Sequence, residues 1–150
     1  MGVMAKSWTI KDTVFEFIPL EDIRVAYNQI EKNLKTVAAK SYVDWIPADV
    51  YTALRSGTSE LYMAYEKDYY AGFIIVSILN DPGGEKTLYL WVAYSAPKYN
   101  IIGSGVEFLE ELVQNTNITG MEFHSSRPGW TRAAKKHGFK AVTTVYKKEV

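Results

Sequence analysis

The chain predicts an α+β domain built on a mixed sheet, with elements in the order β-α-α-β-β-β-α-β-α-β. Three observations carry that class. Strand-like runs follow one another closely between residues 60 and 94, as an antiparallel meander does. Two helical stretches near the C-terminus each lie between strand-like runs, which makes part of the sheet parallel. A glycine-punctuated loop, Pro97-Lys98-Tyr99-Asn100-Ile101-Ile102-Gly103-Ser104-Gly105, hands a strand over to an amphipathic helix.

Thr13–Pro19 reads as the first strand, stopped by the proline. A helix is predicted from Leu20 to about Ala39, because Ile23, Ala26, Ile30, Leu34 and Val37 recur at helical spacing. Glu21 and Asp22 suit its positive N-terminal end. Pro47 opens a second helix that stops before Gly57, with Val50 and Leu54 as its buried stripe and Tyr51 as a further candidate. Glu60–Tyr65 and Tyr70–Leu79 form a hairpin across Glu66-Lys67-Asp68. Asn80-Asp81-Pro82-Gly83-Gly84 then turns the chain into Leu88–Tyr94. The helix Gly103–Gln114, the strand Ile118–His124 and the helix Pro128–His137 follow, the last closed by Gly138. Phe139–Lys147 alternates as a final strand. No repeat, low-complexity tract or linker interrupts residues 1–150, so one domain is expected.

Composition excludes several functions. Seventeen basic side chains balance seventeen acidic ones, which argues against general binding to nucleic acid or an anionic membrane. There is no cysteine, hence no disulfide, thiol nucleophile or thiolate-ligated metal, and two distant histidines make no metal site. No apolar run approaches the roughly 18 residues of a membrane span. The segment Met1–Lys6 lacks a signal-peptide core, and Lys6 breaks the myristoylation pattern. These features suit the cytoplasm. Eleven tyrosines and four tryptophans furnish an aromatic core, an interaction face, or both.

The loop has two physical readings. Helix N-termini present backbone N–H groups and a partial positive charge, which suit a pyrophosphate, and Gly103 and Gly105 would let backbone approach it closely. Alternatively, the glycines serve close packing in a plain strand-to-helix turn. The loop is neither a Walker motif nor a complete dinucleotide fingerprint.

The loop resembles the acyl-CoA loop of the GNAT superfamily of N-acetyltransferases, Pro-x-Tyr-Arg-Gly-x-Gly-x-Gly/Ala, and aligns with it without a gap. A second GNAT segment, roughly Asn-x-x-Ala-x-x-x-Tyr-x-x-x-Gly-Phe, matches Arg127 to Phe139 in order and spacing. The resemblance covers most of the chain. It implies a central sheet splayed between two strands, with the pantetheine arm of acetyl-CoA or another acyl-CoA lying along Ala93, Tyr94 and Ser95. Asn100, Ile101, Ile102, Gly103, Ser104, Gly105 and Val106 would surround the pyrophosphate. The acceptor would be an amine.

The chain departs from the family at chemically important points. Asn100 and Ile101 replace a common Arg and Gly. Ala134 stands where the family often has a tyrosine acid, in a stripe with Trp130, Ala133 and His137 that faces the sheet. No carboxylate lies between Thr87 and Asn100. Replacement candidates are His124 as base and Tyr94 or Tyr89 as phenol. Ser125 and Ser126 either bind substrate or cap the next helix. Arg127, Arg132, Lys135, Lys136, Lys140, Lys147 and Lys148 make a basic C-terminal third, either solvated or meeting the 3′-phosphate of CoA. The ending also resembles small GNAT-like proteins of bacteriophages and prophages, through Gly129-Trp130, Arg132-Ala133-Ala134-Lys135, Gly138-Phe139 and Tyr146-Lys147-Lys148-Glu149. Two functions follow: an acyl-CoA-dependent N-acyltransferase in the cytoplasm, or a catalytically inactive virion or interaction protein with protein partners in a phage particle.

Overall fold

The computed structural model describes residues 6–41 and 43–150. The targeting patterns read at residues 1–5 lie outside the described residues. Six strands form one sheet in sequential order: β1 (Ser7–Ile10), β2 (Thr13–Phe17), β3 (Ser59–Glu66), β4 (Tyr69–Asn80), β5 (Lys86–Ser95) and β6 (Ile118–Phe123). All neighbours are antiparallel except β5 and β6, which run parallel. The crossover between those two is the helix α3 (Ile102–Val113), as parallel pairing requires.

Helices α1 (Ile23–Ala38) and α2 (Pro47–Ser56) cover one face of the sheet. Ile23, Ala26, Ile30 and Leu34 of α1, with Val50 and Leu54 of α2, pack on Leu61, Met63, Phe73, Ile75 and Val92. The other face packs α3, whose Phe108 stacks on Phe15 at 4.6 Å between ring centroids. Local chemistry sets the helix ends. The Ile46 N–H donates to Asp49 Oδ2 at 2.9 Å ahead of Pro47, and Gly57 ends α2 with φ 81°. In the β3–β4 turn both Lys67 and Asp68 have positive φ, the type I′ geometry that matches strand twist.

The sequence-based order needs three amendments. A short strand, β1, precedes the expected first strand, turning through Lys11 at φ 55°. The first turn of the first predicted helix is a separate 3-10 turn, Leu20–Asp22, carrying both acidic residues. The final strand expected at Phe139–Lys147 does not form. Beyond α4 (Gly129–Lys136) the chain joins no ladder, and residues 140–150 are exposed. Alternation supplies a face to bury but not a partner. Phe139 lodges against Phe123 at 5.1 Å, whereas Val142, Val145 and Tyr146 stay in solvent.

Two irregularities shape the sheet. Val76 pairs with Leu90 and Ile75 with Val92, so Trp91 is one residue too many on β5, a bulge that bends the strand. Gly72, opposite Ser95, has φ 150°, and a methyl group there would overlap the Tyr94 carbonyl oxygen and lie 3.1 Å from Ile101 Cδ1. Gly72→Ala is therefore expected to destabilise the fold by at least about 2 kcal/mol in urea unfolding, and a loss below about 0.5 kcal/mol would contradict this close approach.

Tyr62 is 3% exposed and donates to Glu60 Oε1 at 3.1 Å. Burial first, and then the Glu60 carboxylate, push its phenol well above the ordinary value of 10.0. The folded state thus holds this proton where the unfolded chain releases it. Its contribution is complete below about pH 10 and is lost as pH rises further. By pH 11 this phenol withdraws about 1 kcal/mol, so Tyr62→Phe should lose that much less than the parent between pH 9 and 11 in urea midpoints. Equal losses would refute the assignment.

Candidate functional site

The parallel pairing of β5 with β6 ends at Leu90 and Phe123, where the Trp91 bulge begins. Beyond it β5 runs on to Ser95 with β4 alone. The edge it would share with β6 is open, and a cleft of about 620 Å³ fills the gap. Its walls come from β5, β6, α3 and α4, with the end of α1 closing one side. They are mostly apolar, with Leu88, Leu90, Met121 and Leu109 among the lining side chains.

Seven of the sequence-predicted cofactor residues line this cleft: Ala93, Tyr94, Ser95, Ile101, Ile102, Gly105 and Val106. Asn100, Gly103 and Ser104 lie outside the lining. Gly103 borders it nonetheless, since its missing Cβ would sit 3.8 Å from Cε1 of His137, a lining residue. The stripe Trp130, Ala133, Ala134 and His137, expected to face the sheet, lines the cleft. Ala134 thus leaves open space where a phenol was sought. Trp130 and Phe139 both pack on Phe123, which moors α4 to the end of β6.

The loop distributes its amides unevenly. Ile101 N–H donates to Ser95 Oγ at 3.2 Å and Ile102 N–H to Asn100 Oδ1 at 3.1 Å, so Asn100 caps the helix locally. Gly105 N–H is already bonded to the Ile101 carbonyl at 2.7 Å. The amides of Gly103 and Ser104, in the first turn of α3, have no acceptor among the described residues. The Ser104 hydroxyl turns the other way, toward Thr13 Oγ1 at 3.3 Å.

The two glycines therefore do different work. A Cβ on Gly105 would stand 3.2 Å from Ile74 Cδ1, so this glycine seats α3 on the sheet. Gly103 has ordinary room. Gly105→Ala should cost about 1–3 kcal/mol, whereas Gly103→Ala, in a helical turn with ordinary room, should be neutral or stabilising by up to about 1 kcal/mol, read as urea midpoints. Equal effects, or the reverse order, would contradict this division.

The candidate acid–base residues separate. The Tyr94 ring stacks on Phe73 at 5.6 Å, which holds it against the α1–α2 core. His124 follows β6 directly and lines a smaller cavity of about 90 Å³ that adjoins the cleft. Its Nε2 lies 2.9 Å from Glu122 Oε2, and its ring is 5.0 Å from that of Tyr89. Glu122 itself lines the main cleft. Sequence reading sought a carboxylate on the preceding strand and missed this one. The available signal was the two-residue spacing of Glu122 and His124, which puts both on one face of an extended segment. Ser125 accepts from Arg127 N–H at 3.1 Å and so shapes the entry to α4. Among the described residues no group of three or more His, Asp or Glu could hold a metal.

A splayed mixed sheet with this helix order is the fold of the GNAT acetyltransferases. A predicted acetyltransferase from Clostridium acetobutylicum, solved with acetyl-CoA, superposes with a TM-score of 0.66 at 16% identity, over 91% of this chain and 96% of that one. The ribosomal-protein-alanine N-acetyltransferase of Brucella melitensis biovar Abortus 2308 gives 0.67 at 15% identity, over 92% and 99%. An aminoglycoside acetyltransferase from an uncultured soil metagenome, solved with sisomicin, gives 0.67 at 10% identity, over 93% and 95%. No protein-family model and no curated protein matches the sequence. No helix among the described residues is long and apolar enough to cross a membrane.

Proposed function

We propose that this chain is a one-domain, cytoplasmic N-acyltransferase that moves an acyl group, acetyl in the first instance, from coenzyme A to an amine. The observation that carries the reading is the open β5 edge beside the unpartnered Gly103 and Ser104 amides at the start of α3. Bound acyl-CoA supplies a thioester whose carbonyl carbon accepts the amine and whose thiolate departs.

The chain's own residues would do the rest. The Gly103 and Ser104 N–H groups, helped by the α3 dipole, bind the pyrophosphate. Backbone along Ala93, Tyr94 and Ser95 aligns the pantetheine arm and polarises the carbonyl. Glu122 and His124 take the ammonium proton, the carboxylate holding the imidazole in place. Ala134 donates no proton, which a thiolate leaving group tolerates.

Calorimetry with acetyl-CoA should give micromolar binding. Absence of heat and of thermal stabilisation at millimolar ligand would overturn this reading. It would leave the second one, a GNAT-fold interaction protein such as a phage virion component, which Ala134 in the cleft wall favours. Thiol release with a panel of small amines tests the base: His124→Ala and Glu122→Gln should each lower kcat/KM about 100-fold. Unchanged rates in both would remove the pair from the mechanism.

A further inference from the structure

The smaller cavity, next to the main cleft, has a one-sided charge. Its walls include Lys40, His124 and Arg127 and no carboxylate. Lys40 and Arg127 line both cavities, so they flank the junction between them. Neither side chain has an ion-pair partner among the described residues, where His124 with Glu122 is the one pair found. Both are exposed and form a positive rim around a hollow that has no carboxylate of its own, which suits an anion from outside.

The position of the hollow says which molecule brings that anion. None of its lining residues belongs to α3 or to the loop before it, so it lies apart from the amides assigned to the pyrophosphate. It meets the main cleft at Leu90, Ala93 and Phe123, where β5 and β6 part. Its apolar wall is Trp45 and Trp91, in edge contact at 5.8 Å, and the Trp45 indole donates to Ser41 Oγ at 3.1 Å. Across the junction Glu122 lines the main cleft, the one carboxylate there.

We infer that the amine acceptor is a small molecule that also carries an oxyanion, a carboxylate or phosphate, held by Lys40 and Arg127. The inference rests on the acyltransferase reading. The ammonium end lies toward Glu122 and His124, the short hydrocarbon part lies on Trp91, and the anion meets the two cations. The Arg127 guanidinium suits a carboxylate or phosphate through paired N–H donors. Polyamines and other polycationic amines are repelled by the same two side chains.

The test compares amines matched in size. Thiol release from acetyl-CoA is followed with β-alanine and 2-aminoethyl phosphate against β-alaninamide, ethanolamine and putrescine. The anionic amines should have at least a tenfold higher kcat/KM. Lys40→Met and Arg127→Met should each collapse that preference about tenfold through KM, with the acetyl-CoA dissociation constant within twofold of the parent. Equal or better turnover of the neutral or dicationic amines would overturn the inference while leaving the acyltransferase intact. Loss of acetyl-CoA affinity in both variants would also overturn it, assigning the cations to the coenzyme's phosphates. Direct titration of the same amines, read from the indole N–H signals of Trp45 and Trp91, decides the point even where no acetyl-CoA binds. Selective shifts with the anionic amines support the site, and no selectivity refutes it.

Discussion

Trp91 has no partner residue on β4, and the whole candidate site follows from where that extra residue falls. A parallel pair keeps its ladder only while both strands hold the same direction and twist. Up to Leu90 and Phe123 they do. At the bulge β5 bends with β4, which it continues to pair as far as Ser95, and β6 goes its own way into α4. An open parallel edge inside a sheet is normally costly because its backbone groups lose their partners. Here the lost partners leave room for an extended ligand, so the irregularity and the site are one feature.

The elements around the gap are arranged to keep it open. Gly72 lets the end of β5 approach β4 closely. Gly105 lets α3 sit down on Ile74, and the stacked rings of Phe15 and Phe108 anchor that helix. On the far side Phe123 receives Trp130 and Phe139, so α4 forms a separate wall and does not collapse onto β5. Small residues at Ala133 and Ala134 complete that wall without filling the space. The cleft is thus bounded by the packed sheet and α3 on one side and by α4, which buries none of its residues fully, on the other, and a concavity between elements is the usual place for a ligand to bind.

Charge is distributed with the same economy. The chain is neutral overall, yet the junction of the two cavities gathers Lys40, Arg127, His124 and Glu122 within one region. Segregation of one carboxylate from two unpaired cations across a few residues gives the region a polarity that net charge hides. Amines with an anion at the other end match that polarity, which would link acceptor choice to the same splay in which we propose that the coenzyme lies.

Most of the architecture was legible in the residues. The period of Ile23, Ala26, Ile30 and Leu34, the proline before α2 and the glycine after it, and the meander from β3 to β5 depend on contacts within a few positions or between neighbouring strands. That the loop residues border the cleft was legible too, because a loop that leads straight from β5 into α3 must place its residues at the strand end. Tertiary structure alone decided the rest. Whether Phe139–Lys147 pairs depends on a distant edge, and a local alternation carries no information about that edge. The bulge at Trp91 is a matter of register against β4, invisible along β5 by itself. Lys40 and Trp45 from the α1–α2 connection, Trp91 of β5 and Arg127 ahead of α4 meet around one hollow, a consequence of packing that no spacing within the sequence encodes.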